Sequence, residues 1–247
     1  MDLLEDLETE FGNIRIVRHK HDGSHAYYQG FCSHSEANKE GVSTCIYVHT
    51  MFGIIRQLNA QRVLMIGCAG GSLATMLHRA GCEVTAVDIN PHAFTLARRY
   101  FQMPEEVRCV VGGGRSYIER TNERFDAIAI DAFSNDGSIP EELTTGDFFE
   151  QVSEVLEAGG VVVMNVIAGH DLDLSADKIA VSMESSRLPA VLFDRINRAN
   201  HNVIIAGGNV ADLNIPYGNE PAGIRNEMNG IIRRTPKRRA VNRLKTT

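Results

Sequence analysis

No apolar run in the chain goes much beyond about six residues, far short of the roughly 20 that a membrane-spanning helix requires. The first residues, MDLLEDLETE, are acidic and lack the basic start and apolar stretch of a secretory signal. There is no repeat period and no low-complexity tract. The five cysteines are an odd number with no C-x-x-C spacing, which argues against a disulfide framework or a zinc ribbon and for reduced thiols. Secreted and membrane classes are therefore excluded, and a cytoplasmic protein without a resident metal is expected. What is present is ordinary globular material: 247 residues, 43% of them hydrophobic and 23% charged, enough for one large domain with a small appendage.

The net charge of −6 is uneven. Residues 233–247, RRTPKRRAVNRLKTT, hold seven Lys or Arg and no acid, so the rest carries −13. Such a run is either a nucleic-acid or acidic-partner arm or a solvated tail. Pro236 and the missing apolar periodicity favour a disordered tail and make nucleic acid the weaker reading. Four histidines near one another (His19, His21, His25, His34) and Cys32 raise a metal site, but their spacing matches no ligand pattern, and a polar turn is expected instead.

From residue 62 onward short apolar runs alternate with amphipathic stretches. RVLMIG (62–67), EVTAVD (83–88), VRCVV (107–111), FDAIAID (125–131) and GVVVMNV (160–166) have the β-branched content of buried strands. Helices are expected between them, one opening at Pro91, with capping-box spacing at Ser138–Glu141 and Thr144–Asp147. AVLFDRI (190–196) and NVIIAG (202–207), joined by a few polar residues, must be antiparallel. The result is an α/β, doubly wound, mostly parallel sheet closed by an antiparallel C-terminal hairpin, the methyltransferase-like variant of the Rossmann architecture. Ahead of it, NIRIVRH and HAYYQGF predict two strands around the turn KHDGS, and Val42 to Leu58 a lead-in helix. The expected organisation is 1–60 as a small β segment with that helix, 61–215 as the Rossmann domain, and 216–247 as an extension ending in the basic tail.

Three loops at the strand tips draw the chemistry. Gly67-Cys68-Ala69-Gly70-Gly71-Ser72 follows the first core strand and lets backbone approach a ligand in front of a helix N-terminus. The dinucleotide pattern G-x-G-x-x-G fails at Ala69 and Ser72. Asp88, about 20 residues on and followed by Ile89, sits where an acid accepts both hydroxyls of a ribose. Gly112-Gly113-Gly114 follows the third strand, where an adenine would lie or where only a tight turn is needed. Asp131 ends the fourth strand behind apolar residues, a setting in which a carboxylate is paired or working.

The series VLMIGCAGG, VTAVDIN, VVGGGRSYI, FDAIAIDAFSNDGSIPEELTTGDFF and LEAGGVVV resembles the spermidine synthase (polyamine aminopropyltransferase) family across most of residues 10–207. So does the small β region followed by Tyr47-Val48-His49. The resemblance implies a transferase that moves an aminopropyl group from decarboxylated S-adenosylmethionine to an amine such as putrescine, acting as a homodimer in polyamine biosynthesis. It implies Asp131 as the base, Asp88 as the ribose anchor, and Gly67 through Gly71 with Gly113 and Gly114 around the donor. Tyr47, Ser134 and Asp136 fall on the acceptor side, and Gln29 near a family glutamine.

The chain departs from the family where acids are expected: Gly70, Gly113 and Ser134 replace them, and Tyr47-Val48-His49-Thr50 lacks the family's glutamate. Asp136, Glu36 and Glu141 are candidate substitutes. Two other readings stay open: an S-adenosylmethionine-dependent methyltransferase on the same fold, and a catalytically weakened nucleoside-binding or regulatory protein. His49 either lines the cleft or faces solvent.

Overall fold

The computed structural model describes residues 1–30, 32–196, 198–216, 221–238 and 240–241. It contains two sheets. The small one is an antiparallel meander of β1 (Asp2–Leu7), β2 (Ile14–Arg18), β3 (His25–Gln29) and β4 (Cys32–Ala37) in sequence order. Two of its strands are those expected from sequence. β1 and β4 are additional: DLLEDL, half acidic, and CSHSEA, mostly polar, become strands because β2 and β3 offer them edges.

A helix, α1 (Ile46–Gln57), leads into the large sheet. That sheet contains β5 (Arg62–Ile66), β6 (Glu83–Asp88), β7 (Arg108–Val111), β8 (Phe125–Ile130), β9 (Leu156–Ala168), β10 (Ala190–Asp194), β11 (His201–Gly208) and β12 (Ile232–Arg234). Their spatial order is β12-β10-β11-β9-β8-β5-β6-β7, with β5 through β9 parallel and β10, β11 and β12 joined antiparallel. The helices α2 (Ser72–Arg79), α3 (Pro91–Phe101), α4 (Gly114–Arg120), α5 (Gly146–Val155) and α6 (Ser175–Ser185) connect the strands, and α7 (Ala222–Met228) precedes β12. Apolar layers cover both faces of the sheet, one under α1, α2 and α7 and one under α5 and α6. Among the described residues no helix is long and apolar enough to cross a membrane.

Some local expectations are corrected. Ser138 does not cap a helix; its N–H and hydroxyl both donate to Asp136 Oδ1. The cap of α5 is Thr145, one residue after the expected Thr144, and its Oγ1 accepts from the Phe148 N–H at 3.2 Å. The basic tail is structured at its start. Arg233 and Arg234 pair with β10, Arg234 bridges the buried Asp177 and Asp194, and Arg238 pairs with Glu184. Each of these arginines finds a partner on the body, which ordered contacts require and periodicity cannot reveal. Arg239 and residues 242–247 of that tail lie outside the described residues.

Candidate functional site

Strand order reverses beside β5: β6 and β7 lie to one side, β8 and β9 to the other. In open α/β sheets the crevice at such a switch point, beyond the carboxyl ends of the strands, receives ligands. Gly67, Asp88 and Asp131 all sit there. Gly67 has φ +89°, and a Cβ at that position would fall 2.2 Å from the Asp131 carbonyl oxygen. Only glycine allows the first loop to cross so close to the end of β8.

The Asp88 carboxylate braces this loop. One oxygen accepts from the Cys68 N–H at 2.7 Å and the other from the Asn90 N–H at 2.8 Å. Burial raises its pKa, while the backbone donors of Asn90, Cys68 and Ala69 favour the ionised form. Carboxylate oxygens have further acceptor capacity, and the side chain lines a cavity of about 320 Å³ together with Gly67, Cys68, Ala69, Gly113 and Asp131. Ile89, Gly114 and Ser134 also line it.

Asp131 stands at the far wall of that cavity. Its Oδ1 accepts from the Asn165 amide at 2.9 Å, and Asn165 Oδ1 accepts in turn from Asn202 at 2.9 Å. Burial pushes the Asp131 carboxyl up to about 6, against the Asn165 amide and the Tyr47 hydroxyl, which favour its ionised form. The Tyr47 hydroxyl donates to the His34 carbonyl at 3.2 Å.

Behind this group lies a second cavity of about 520 Å³, lined by Tyr47, Asn165 and Asn202 and reaching Arg195, His201 and Glu227. His34 and Phe133 line both cavities and mark where they meet. Burial lowers the pKa of His34, so its ring stays neutral near pH 7, and its Nε2 is buried without a hydrogen-bond partner. His201 is fixed by Asp194 at 2.9 Å, and Asp194 by Arg234 at 2.7 Å.

Other residues expected at the site lie elsewhere. Gly70 and Gly71 form the back of the loop: Gly70 packs on Ser35 and Phe101 and donates its N–H to Ser35 Oγ, and Gly71 packs on Met103. The loop turns its Gly67-Cys68-Ala69 side to the cavity and its later glycines to the core. Asp136 is exposed and caps its own turn, so it reaches neither cavity. Glu36 and Glu141 line neither cavity. His49 is buried rather than exposed, with Nε2 2.7 Å from the Ser43 carbonyl. Among the described residues no group of three or more His, Cys, Asp or Glu is placed to hold a metal ion.

Asn165 and Asn202 were not singled out in the sequence. Asn165 interrupts the apolar run VVVMNVIA of β9; a lone amide inside a buried strand demands a partner, and that interruption is the signal that could have found it. Glu10 and Glu142, exposed at the rim of the first cavity, carry no such signal.

Comparison with known proteins is consistent with this geometry. A family profile described as a methyltransferase domain matches residues 63–160. The polyamine aminopropyltransferase of Chromobacterium violaceum is 36% identical over 130 residues, which is 50% of this chain and 49% of that protein. The chain thus spans about half the length of that curated relative, and 42% of the next, from Vibrio vulnificus, at 32% identity over 48% of this chain. Among solved structures, a probable spermidine synthase from Corynebacterium glutamicum superposes with a TM-score of 0.79 at 18% identity, covering 97% of this chain and 94% of that one. Strand order, the antiparallel closing hairpin, the small leading sheet and these likenesses together show a methyltransferase-like α/β fold preceded by a small antiparallel sheet, a fold shared with spermidine synthases.

Proposed function

We propose that the chain is a transferase that binds an S-adenosylmethionine-type nucleoside in the first cavity and alkylates an amine held in the second. The transferred group we assign is aminopropyl, from the decarboxylated donor. The observation that carries this choice is the charge of the first cavity. Its described lining residues include four carboxylates, Glu10, Asp88, Asp131 and Glu142, and no Lys or Arg. The decarboxylated donor ends in an ammonium group, which suits such a wall. S-adenosylmethionine would bring a carboxylate with no cation to meet it.

In this reading Asp88 accepts hydrogen bonds from the ribose hydroxyls while its backbone partners hold it in place. Gly113 leaves open backbone for the base, while Gly114 packs tightly against Ile66. Asp131 faces the acceptor nitrogen. A free amine has a pKa of roughly 10, so it must be held and deprotonated before it attacks. The nitrogen lone pair attacks the propyl carbon next to sulfur; the C–N bond forms, the C–S bond breaks, and its electron pair neutralises the sulfonium as a thioether. The proton released from nitrogen passes to Asp131. Asn165 keeps that carboxylate ionised and oriented for the transfer.

The match to a methyltransferase domain favours a second reading on the same groups, methyl transfer from S-adenosylmethionine. One experiment separates them. The protein is incubated with each donor and a panel of amines, and products are identified by mass spectrometry. Methylthioadenosine with an amine heavier by one aminopropyl unit supports the assignment. S-adenosylhomocysteine with a methylated product replaces it with the second reading, and nucleoside binding without turnover of either donor rejects both.

A further inference from the structure

We propose that the second cavity selects an amine that also carries a carboxylate, rather than a diamine. The proposal rests on the transfer set out above and names its acceptor. A site built for a diamine places an anion at each end of the molecule. Here the end beside Asp131 has one, but the described lining of the remainder holds a single carboxylate, Glu227, against two guanidinium groups, Arg195 and Arg198.

Arg195 is the informative residue. Its side chain is only 18% exposed, and its ion pair with Glu227 is 3.8 Å long, beyond hydrogen-bond distance. Glu227 itself is 59% exposed. Among the described residues the Arg195 guanidinium makes no hydrogen bond, although it carries five donors in a fork that matches a carboxylate. A largely buried guanidinium with its donors unused at a cavity wall has the chemistry of an anion receptor. The distal ammonium of a diamine would meet like charge there.

The sheet sets the geometry. Ile204 on β11 lies opposite Asn165 on β9, and Phe193 on β10 lies opposite Ile204. Side chains two apart along a strand share a face, so Phe193 and the following Arg195 lie on the Asn165 side. Asp131, which follows β8, and Phe193 on β10 are three strand spacings apart, roughly 14 Å backbone to backbone, and Arg195 lies two residues further along the chain. An extended six-carbon chain with an amine at one end and a carboxylate at the other, 6-aminohexanoate, is the probe for such a site.

The test is calorimetric titration of 6-aminohexanoate and of 1,6-diaminohexane into the full chain saturated with methylthioadenosine. The expected result is at least tenfold tighter binding of the amino acid. Arg195→Met should abolish that preference, Arg195→Lys should restore part of it, and Glu227→Gln, which removes the competing anion, should tighten binding of the amino acid. A merely structural role for this pair would weaken binding in both Arg195→Met and Glu227→Gln. Equal or tighter binding of the diamine, a preference that survives Arg195→Met, or no binding of either amine overturns the proposal. Methylthioadenosine is titrated alone first. If it fails to bind, the nucleoside reading falls, and the two amines are still compared on the protein without it.

Discussion

The Asp88 carboxylate accepts a 2.7 Å hydrogen bond from the backbone N–H of Cys68, so the residue assigned to the ribose also fixes the glycine loop beside it. Asp88→Ala removes both functions. Affinity for methylthioadenosine is expected to fall by about 1–3 kcal/mol, the range for a lost charge-assisted hydrogen bond. Calorimetry reads this directly, and an unchanged dissociation constant would reject the ribose assignment.

Asp131 gives a pH dependence with a definite sign. Its carboxyl sits at about 6 in the folded chain against an ordinary 3.8, so the folded state holds this proton more tightly than the unfolded one. Stability is then fully present below about pH 4 and is lost as pH rises to about 6, by on the order of 3 kcal/mol at 1.36 kcal/mol per unit. Asp131→Asn should remove that slope in urea titrations run from pH 4 to 7. Turnover should move the opposite way, rising with pH through a limb near 6, and a limb that persists in Asp131→Asn would show that another group is the base.

Asn165 should shift that limb. Its amide favours the charged form of Asp131, so Asn165→Leu should move the acidic limb upward in pH. Asn202, which bonds to Asn165 and not to Asp131, should have a smaller effect. Rate profiles of the two variants against the parent check the order.

The two family acids missing near the donor differ in whether this fold has room for them. A Cβ at Gly70 would lie 2.8 Å from Ser35 Cβ and 2.9 Å from the Phe101 ring, whereas one at Gly113 meets only Ser116 Oγ at 4.0 Å. Gly70→Asp is expected to destabilise by about 2 kcal/mol or more through overpacking. Gly113→Asp should stay within about 0.5 kcal/mol of the parent. Thermal unfolding of both variants decides the matter.

Arg234 carries the largest predicted stability effect. It makes two bonds to the fully buried Asp177, at 2.7 and 3.0 Å, and one to Asp194 at 2.7 Å. Arg234→Ala leaves a buried carboxylate without its cation, expected to destabilise by about 3–5 kcal/mol. Adding Asp177→Asn should recover part of that loss. No recovery in denaturant unfolding would mean that the arginine acts mainly through packing.

The large sheet was legible because its central strands are buried on both faces. Runs such as RVLMI and FDAIAI admit no other state between turn signals, and the short link between β10 and β11 forces them antiparallel. Asp88 and Asp131 were legible for a related reason: each ends such a run, where a charge has to face the crevice. The rest depended on contacts between segments distant in sequence. β1, half acidic, and β4, mostly polar, form on the edges that β2 and β3 provide. Which side of the Gly67–Gly71 loop faces the cavity is set by packing of Gly70 on Ser35, 35 residues away. Arg195 and Glu227 meet only because β10 and α7 are brought together, and nothing local in either stretch announces it.

The same Gly70–Ser35 hydrogen bond constrains how a ligand gets in. It ties β4 of the small sheet to the back of the glycine loop, and Phe101 of α3 packs against Ile14, Ile16 and Tyr27 in one apolar cluster. The small sheet therefore cannot hinge away from the strand tips without opening core. The segment 132–140 is different: it runs over the same cavity, and its contacts with the small sheet include a single 2.8 Å side-chain bond from Gln29 to Asn135. Of the two flanks of the crevice, the leading sheet is thus held by shared core, and the segment 132–140 meets it through a polar side-chain contact.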